Sequence, residues 1–401
     1  MPEPRRIGIG LVGTGFLAAT RARCYGALAG RAAIVAVASR TPARNAEFAR
    51  RWDIPRALDF EALLADPTVE LVDLCVPNAL HRPMCEAAAA AGKHVVCTKP
   101  LTAYVGQDLA AGHADAEVSS RDRRAMAALA TSEALAMVDA ARRHGVQLMY
   151  GENWLYAPSI RRTAELLERA DSIILDLRGG EAHSGSHSPY SRLWRHTGGG
   201  ALLRLGSHPI GAMLHLKAAE GRRRRGSPIR PVAVVADVAD PQRSIEPSRT
   251  AYVARGFVDV ESHGTTLIEF DDGSRGNAFG SDTMLGGMES RLDVQASNLR
   301  LTCNLSPNDM LRSYAPDAAV LGDTYLMEKV STTAGWNSAI PDEDFCSGQL
   351  AMCADFVAAL AEGRPAIADG ELGLEVVKVV YASYVAAAEG RRVRLSEISS
   401  W

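Results

Sequence analysis

Apolar residues fall into short unbroken runs over the first 150 positions: RIGIGLV (6–12), IVAVAS (34–39), VELVDLCV (69–76), HVVCT (94–98) and VQLMY (146–150). Each run is too short for a typical helix and is bounded by glycine or polar residues, which predicts buried strands. The intervening segments carry helix signals. One helix starts at a glycine turn and runs to 29, with Gly30 as its stop. Another opens at Thr41-Pro42, a hydroxyl cap followed by proline. Asp59 opens a short helix that ends at Asp66-Pro67; an alanine-rich helix over 81–91 ends at Gly92; Ser132 caps a helix to 144, stopped by Gly145. Continuous apolar strands alternating with helices predict an α/β unit with a doubly wound parallel sheet, a dinucleotide-binding Rossmann domain over 1–150.

The pattern changes after 150. Strand-like segments occur at 172–179, 232–238, 251–260, 264–271, 274–281 and 291–303, with turn signals such as Asp272-Gly273. Helical patterns cover 158–169, 207–217, 348–362 and 370–389. This predicts an α+β domain over 151–401 with a mainly antiparallel, open-faced sheet, the helix near 370–389 packing between the domains. Residues 103–122 and 218–229 read as loops, the second holding four consecutive arginines.

Composition narrows the functional classes. The 401 residues carry 44 Lys plus Arg against 47 Asp plus Glu, a net charge of −3. That balance gives no electrostatic case for nucleic acid or an anionic membrane, and the arginine run reads as a solvated loop. No charge-free apolar stretch reaches the roughly 18–20 residues that span a bilayer. The N-terminus enters a strand without an apolar targeting segment. Seven cysteines, an odd number without metal-ligand spacing, read as reduced thiols of a cytoplasmic protein.

The sharpest chemical signal is Gly13-Thr14-Gly15-Phe16-Leu17-Ala18, a GxGxxA sequence between a strand and a helix. Gly13 permits the turn, Gly15 lets backbone approach a pyrophosphate, and the helix N-terminus offers free N–H donors. The second strand ends in Ser39-Arg40-Thr41, where a carboxylate would grip the ribose of NAD. Serine with Arg40 and Arg44 suits a 2′-phosphate, so NADP is slightly favoured over NAD among NAD(P)(H) cofactors.

CVPNALHRPMCEAAAAAGKHVVCTKPL at 75–101 resembles the Gfo/Idh/MocA oxidoreductases. It carries their P-N-x-x-H step as Pro77-Asn78-Ala79-Leu80-His81 and their lysine–proline step as Thr98-Lys99-Pro100. GGGALLRLGSHPIG (198–211) is similar to the family's glycine-rich stretch leading to a histidine, and DGELGLEVVKVVYASYVAAAEGRRVRL is similar to its closing helix and strand. The resemblance implies a secondary hydroxyl or ketone of a sugar, sugar acid or cyclitol as reacting group. It maps the hydroxyl-orienting lysine onto Lys99 and the acid/base histidine onto His208, with nicotinamide contacts around Pro77, Asn78, His81, Thr98 and Pro100. It also implies a homodimer or homotetramer. Two positions depart from the pattern. The glutamate before Lys-Pro is Thr98, and the aspartate four residues before the histidine is Arg204. An arginine is no base. It either binds an acidic group of the substrate, is neutralised by an acid such as Glu152, or is turned away and paired elsewhere.

Histidine suits proton transfer near neutrality. Other substrate candidates are Glu152 and Asn153 after the last Rossmann strand, and His183, His187, Trp194 and Arg195 in the polar stretch 181–196. His183 and His187 are four apart but not in a helical pattern, so no metal site is expected. Two alternatives to net hydride transfer stand: an enzyme that keeps NAD bound for transient sugar oxidation and elimination, and a non-catalytic nucleotide-binding sensor.

Overall fold

The computed structural model describes residues 6–110, 112–186, 188–306, 311–340 and 342–398. The chain divides into two compact units. The first holds the chain up to Ala103, Leu129–Tyr156 and Gly348–Val377; the second holds Tyr104–Ala128, Ala157–Ser347 and the chain from Lys378 onward.

In the first unit, β1 (Ile7–Val12), β2 (Ala32–Ala38), β3 (Ala57–Leu58), β4 (Leu71–Leu74), β5 (His94–Thr98) and β6 (Leu148–Gly151) form one sheet in the order β3-β2-β1-β4-β5-β6. Every pairing is parallel. This is the doubly wound order whose ligands bind outside the carboxyl ends of the strands. β1 is buried along its whole length, as a strand covered on both faces must be. Helix Phe16–Ala27 returns from the glycine turn and packs Ala18 and Ala22 with Leu11, Val37, Phe48, Ala49 and Ile54. Arg21 on that helix is buried against Asp73 of β4, Nε to Oδ2 3.3 Å, and the Tyr25 hydroxyl donates to the same carboxylate at 2.8 Å. Burial nevertheless pushes the Asp73 carboxyl up, against the pull of Arg21.

In the second unit, β7 (Ile174–Ala182), β8 (Pro231–Ala239), β9 (His263–Phe270), β10 (Arg275–Ser281), β11 (Glu289–Ala296), β12 (Arg300–Asn304) and β15 (Val393–Arg394) form a seven-stranded sheet, ordered β12-β11-β7-β10-β9-β8-β15. β13 (Arg312–Ala315) and β14 (Gly335–Ser338) pair separately. The large sheet is antiparallel except for β7 and β10, which run parallel, Ser281 opposite Ala182. Two strands therefore end side by side with their carboxyl ends facing the same way.

Four sequence expectations are corrected. Residues 251–260 are not a strand. Gly256 at φ +81° interrupts the extended backbone, and the segment makes isolated bonds, Ala254 N–H to Ser184 O and Val258 N–H to Arg192 O. The arginine run is helical, because helix Ser207–Arg225 continues through it. Arg223, Arg224 and Arg225 pair with Asp171, Glu220 and Asp271, neutralising what local sequence shows only as repulsion. The segment 291–303 splits into β11 and β12 at Ser297-Asn298, where Ala296 N–H donates to Leu299 O. The helix assigned to Ser132 starts nine residues earlier, as Arg123–Arg143.

Candidate functional site

In the first unit the glycine turn closes β1. Gly13 sits at φ +113°, and a Cβ there would stand 2.2 Å from the Cys75 carbonyl oxygen, so no side chain fits. Gly15, at the helix N-cap, is different: a Cβ there meets no protein atom within 4 Å. The protein itself does not require glycine at 15. The open approach to its backbone suits a pyrophosphate resting on the helix N-terminus. The first amide bonded back to the turn is Ala19 N–H, to Gly15 O, so the amides ahead of it point to that opening. Thr14 and Leu17 are half-buried beside it, and the Phe16 ring is exposed. Ser39 follows β2, its hydroxyl donating to Thr41 O at 3.3 Å, and Arg40 and Arg44 are exposed. Among the described residues neither arginine has an ion-pair partner.

The second motif pair is joined by one histidine. His81 opens helix His81–Ala90 and is fully buried. Its Nδ1 lies 3.0 Å from Pro100 O and 3.2 Å from Leu101 O, and its Nε2 lies 3.0 Å from Val76 O. The ring thus ties the Pro77-Asn78 turn to the Lys99-Pro100 step, whose peptide bond is cis. Burial holds the imidazole below its ordinary value, so it is a neutral clamp. Each ring nitrogen lies beside a carbonyl oxygen, and the neutral ring donates its single N–H to one side, so the buried ring packs as a support between the two turns. Asn78, Thr98 and Lys99 are half-buried at the carboxyl ends of β4 and β5. Glu152 and Asn153 follow β6. The Glu152 carboxylate is buried and accepts Trp154 N–H at 3.1 Å.

In the second unit the parallel ends of β7 and β10 carry Glu181, His183 and Asp282. A π-helical turn, Leu202–Gly206, brings Arg204 against them, and His208 follows in the first turn of helix Ser207–Arg225. The Arg204 guanidinium is bonded to the Asp282 carboxylate. His183 Nδ1 accepts Gly185 N–H at 2.9 Å and lies 3.5 Å from Asp282 Oδ1. His208 Nε2 stands 3.9 Å from Glu181 Oε1, whose other oxygen accepts the Ser290 hydroxyl at 3.3 Å. Burial pushes the Asp282 carboxyl up, and the Arg204 charge opposes it.

The glycine-rich stretch is shaped by two residues that sequence reasoning missed. The Glu261 carboxylate accepts Gly200 N–H at 2.9 Å, Leu202 N–H at 3.0 Å and the Tyr384 hydroxyl at 2.7 Å, while its carbonyl accepts Ala201 N–H. A Cβ at Gly199 would meet the Tyr384 hydroxyl at 2.3 Å, and one at Gly200 the Glu261 carbonyl at 2.0 Å. Nothing local announces Glu261 or Asp282, which lie 61 and 78 residues from the positions they hold.

Two predicted sugar contacts are occupied by the protein. The Trp194 ring is buried, gives its N–H to Tyr104 O at 3.1 Å and carries the Arg123 guanidinium at 4.3 Å. Arg195 is bonded to Asp115 at 2.7 Å and to His113 O at 2.8 Å. His187 lies outside the described residues. Among the described residues no group of three or more His, Cys, Asp or Glu side chains is placed to hold a metal ion.

Residues 7–118 match the model of the oxidoreductase family with NAD-binding Rossmann fold. The chain is 27% identical over 291 residues to levoglucosan dehydrogenase of Pseudarthrobacter phenanthrenivorans, covering 68% of this chain and 67% of that one. Its fold is that of GenD2 from gentamicin A biosynthesis, solved in complex with NAD: TM-score 0.76, 24% identity, 98% and 97% of the two chains covered. Levoglucosan dehydrogenase in complex with NADH and levoglucosan superposes with TM-score 0.69 at 22% identity, covering 98% of this chain and 100% of that one. With its glycine turn, its histidine-linked lysine–proline step and its glycine-rich approach to His208, the chain is similar to the Gfo/Idh/MocA oxidoreductases, whose NAD-binding Rossmann model matches its residues 7–118.

Proposed function

We propose that the chain is a nicotinamide-dependent dehydrogenase or reductase acting on a secondary CH–OH group, or the matching ketone, of a sugar, sugar acid or cyclitol. The observation that carries this reading is Lys99, fixed through the His81 clamp at the carboxyl edge of the same sheet that holds the glycine turn. Nicotinamide, when bound, supplies the hydride acceptor or donor. The turn residues Gly13 to Leu17 would hold its pyrophosphate by backbone amides, and the edge residues Pro77, Asn78, Thr98 and Pro100 would line the way to the reacting ring. Lys99 donates hydrogen bonds to the substrate hydroxyl oxygen and stabilises negative charge as the proton leaves. His208 takes that proton in oxidation and returns it in reduction. Glu152, Asn153 and His183 would orient the remaining hydroxyls.

Exposed Arg40 and Arg44, without ion-pair partners among the described residues, favour NADP over NAD, since a guanidinium pairs well with a 2′-phosphate. Val235 and Leu267 are directly paired on β8 and β9 and exposed at 46% and 44%, an uncovered apolar spot that favours a homodimer or homotetramer. All seven cysteines are free thiols, in keeping with a cytoplasmic setting. No helix among the described residues is long and apolar enough to cross a membrane.

The test is a spectrophotometric screen of NAD+ and NADP+ against neutral sugars, sugar acids and inositols. Wild type should reduce cofactor with at least one polyol. Lys99→Ala and His208→Ala should each lose about 100-fold or more in kcat while still binding NADH. Full turnover in both variants would remove them from the mechanism.

A further inference from the structure

The π-helical turn Leu202–Gly206 ends two residues ahead of His208, and its bonds close one residue later than those of an α turn. Relaxing it to an α turn shifts the register by one residue, about 100° of rotation, so whatever grips this turn sets the direction in which His208 leaves it. One side of the grip is β10. A Cβ at Gly280 would stand 2.2 Å from Ala201 O and 2.6 Å from Gly206 N, so the turn rests directly on the backbone of the strand. The other side is Glu261 with Tyr384 of helix Gly370–Glu389, both buried. Glu261 takes the N–H groups of Gly200, Ala201 and Leu202, and the Tyr384 hydroxyl donates to its carboxylate at 2.7 Å. The Leu203 backbone bonds the same hydroxyl. The first four amides of the helical stretch, which no preceding turn can satisfy, are therefore held by this one pair. Packing sets where the hydroxyl lies. The Tyr384 ring centroid is 5.1 Å from that of Trp194 and 5.8 Å from that of Tyr381, whose own hydroxyl donates to Gly198 O at 2.8 Å.

We propose that Tyr384 is a positioning residue for the reaction: through Glu261 it holds the π-turn in the register that presents His208. The inference rests on the reading that His208 exchanges the proton with the substrate hydroxyl. Without the Tyr384 hydroxyl, the buried carboxylate loses a donor and the Leu203 amide loses its acceptor, so the turn is gripped from β10 alone at its second residue. A phenylalanine ring would keep the packing against Trp194 and Tyr381 and lose only those bonds.

Tyr384→Phe, compared with wild type well below the unfolding temperature of either, should lower kcat about tenfold while the KM for the polyol stays within about twofold, because proton transfer is impaired and binding is not. Glu261→Gln should lower kcat alike. The double variant should be at most about twofold slower than Glu261→Gln, since the hydroxyl acts through that carboxylate. A folded Tyr384→Phe enzyme with wild-type kcat overturns the proposal, and so do losses that multiply in the double variant. His208 also supplies a readout free of turnover. In protein carrying isotopically labelled histidine, its ring NMR signals, assigned with His208→Gln, should shift in Tyr384→Phe while those of His94 on β5 stay in place. Unmoved His208 signals overturn the proposal whether or not the enzyme is active. Should Tyr384→Phe fail to fold, Gly199→Ala takes its place in both measurements, since its methyl would stand 2.3 Å from the hydroxyl and displace it. A wild type that oxidises no polyol, with His208 signals that still move in the variant, sinks the dehydrogenase reading and leaves Tyr384 as the residue that holds His208.

Discussion

Two glycines in one turn do different work, and the difference is measurable. Gly13 is required by the protein, because of its positive φ and the Cys75 carbonyl in the path of any Cβ. Gly15 is required by nothing in the protein. Gly13→Ala should therefore cost about 1–3 kcal/mol or more of stability, and a lower urea midpoint would register it. Gly15→Ala should leave stability unchanged or raise it by about 0.4–1 kcal/mol through the unfolded chain. The same change should weaken NADH binding by about tenfold, roughly 1.4 kcal/mol, in a fluorescence titration. Equal NADH affinity in Gly15→Ala and wild type would place the pyrophosphate elsewhere. This pair was legible in the sequence as GxGxxA, and the motifs that carry Lys99 and His208 are local as well. The long-range partners of the glycine-rich stretch were not. Asp282 and Glu261 meet Arg204 and the glycine stretch only after distant strands are aligned, and no local spacing encodes that.

At the scale of elements, the glycine-rich stretch before His208 is held as a distant helix cap. A buried carboxylate takes the N–H groups of Gly200 and Leu202, donors that a helix start leaves unpaired. Glu261→Gln keeps the shape but turns one acceptor into a donor, so an amide N–H would face an amide N–H. The expected cost is about 1–3 kcal/mol in urea unfolding, with faster hydrogen exchange at Gly200 and Leu202 than at Leu177 in β7. Unchanged exchange at those amides would show that Glu261 is not what holds them. The elements themselves were readable to the extent that burial is continuous. All four long Rossmann strands and β6 announce themselves as apolar runs, whereas β3, two residues long, carries no pattern at all. The 251–260 segment misled because Tyr252, Val253, Phe257 and Val258 have strand chemistry while Gly256 breaks the backbone. The arginine run misled in the opposite direction. Its helix is stabilised by Asp171, Glu220 and Asp271, two of them outside any local window.

Across the whole molecule, buried titratable groups pull stability in opposite directions as pH falls. Burial lowers His81 and His94, and burial with Arg222 brings His215, on helix Ser207–Arg225, down to about 4. A histidine whose folded value lies below its unfolded value of about 6.5 favours the folded state fully above that value. Its contribution is lost as pH drops from about 6.5 towards 4, because the unfolded chain takes up the proton first. Asp73, Glu261 and Asp282 are raised by burial and do the reverse: they bind protons more readily when folded, so acid relieves the cost of keeping them charged. The net slope mixes both signs, and a variant is needed to isolate one. His215→Gln removes a single histidine term and leaves the carboxyls in place. Urea unfolding of wild type and His215→Gln, followed from pH 7.5 to 5.0, should give stability curves whose gap narrows steadily as pH falls, because only the wild type loses the His215 contribution. Parallel curves would mean that His215 titrates alike in both states.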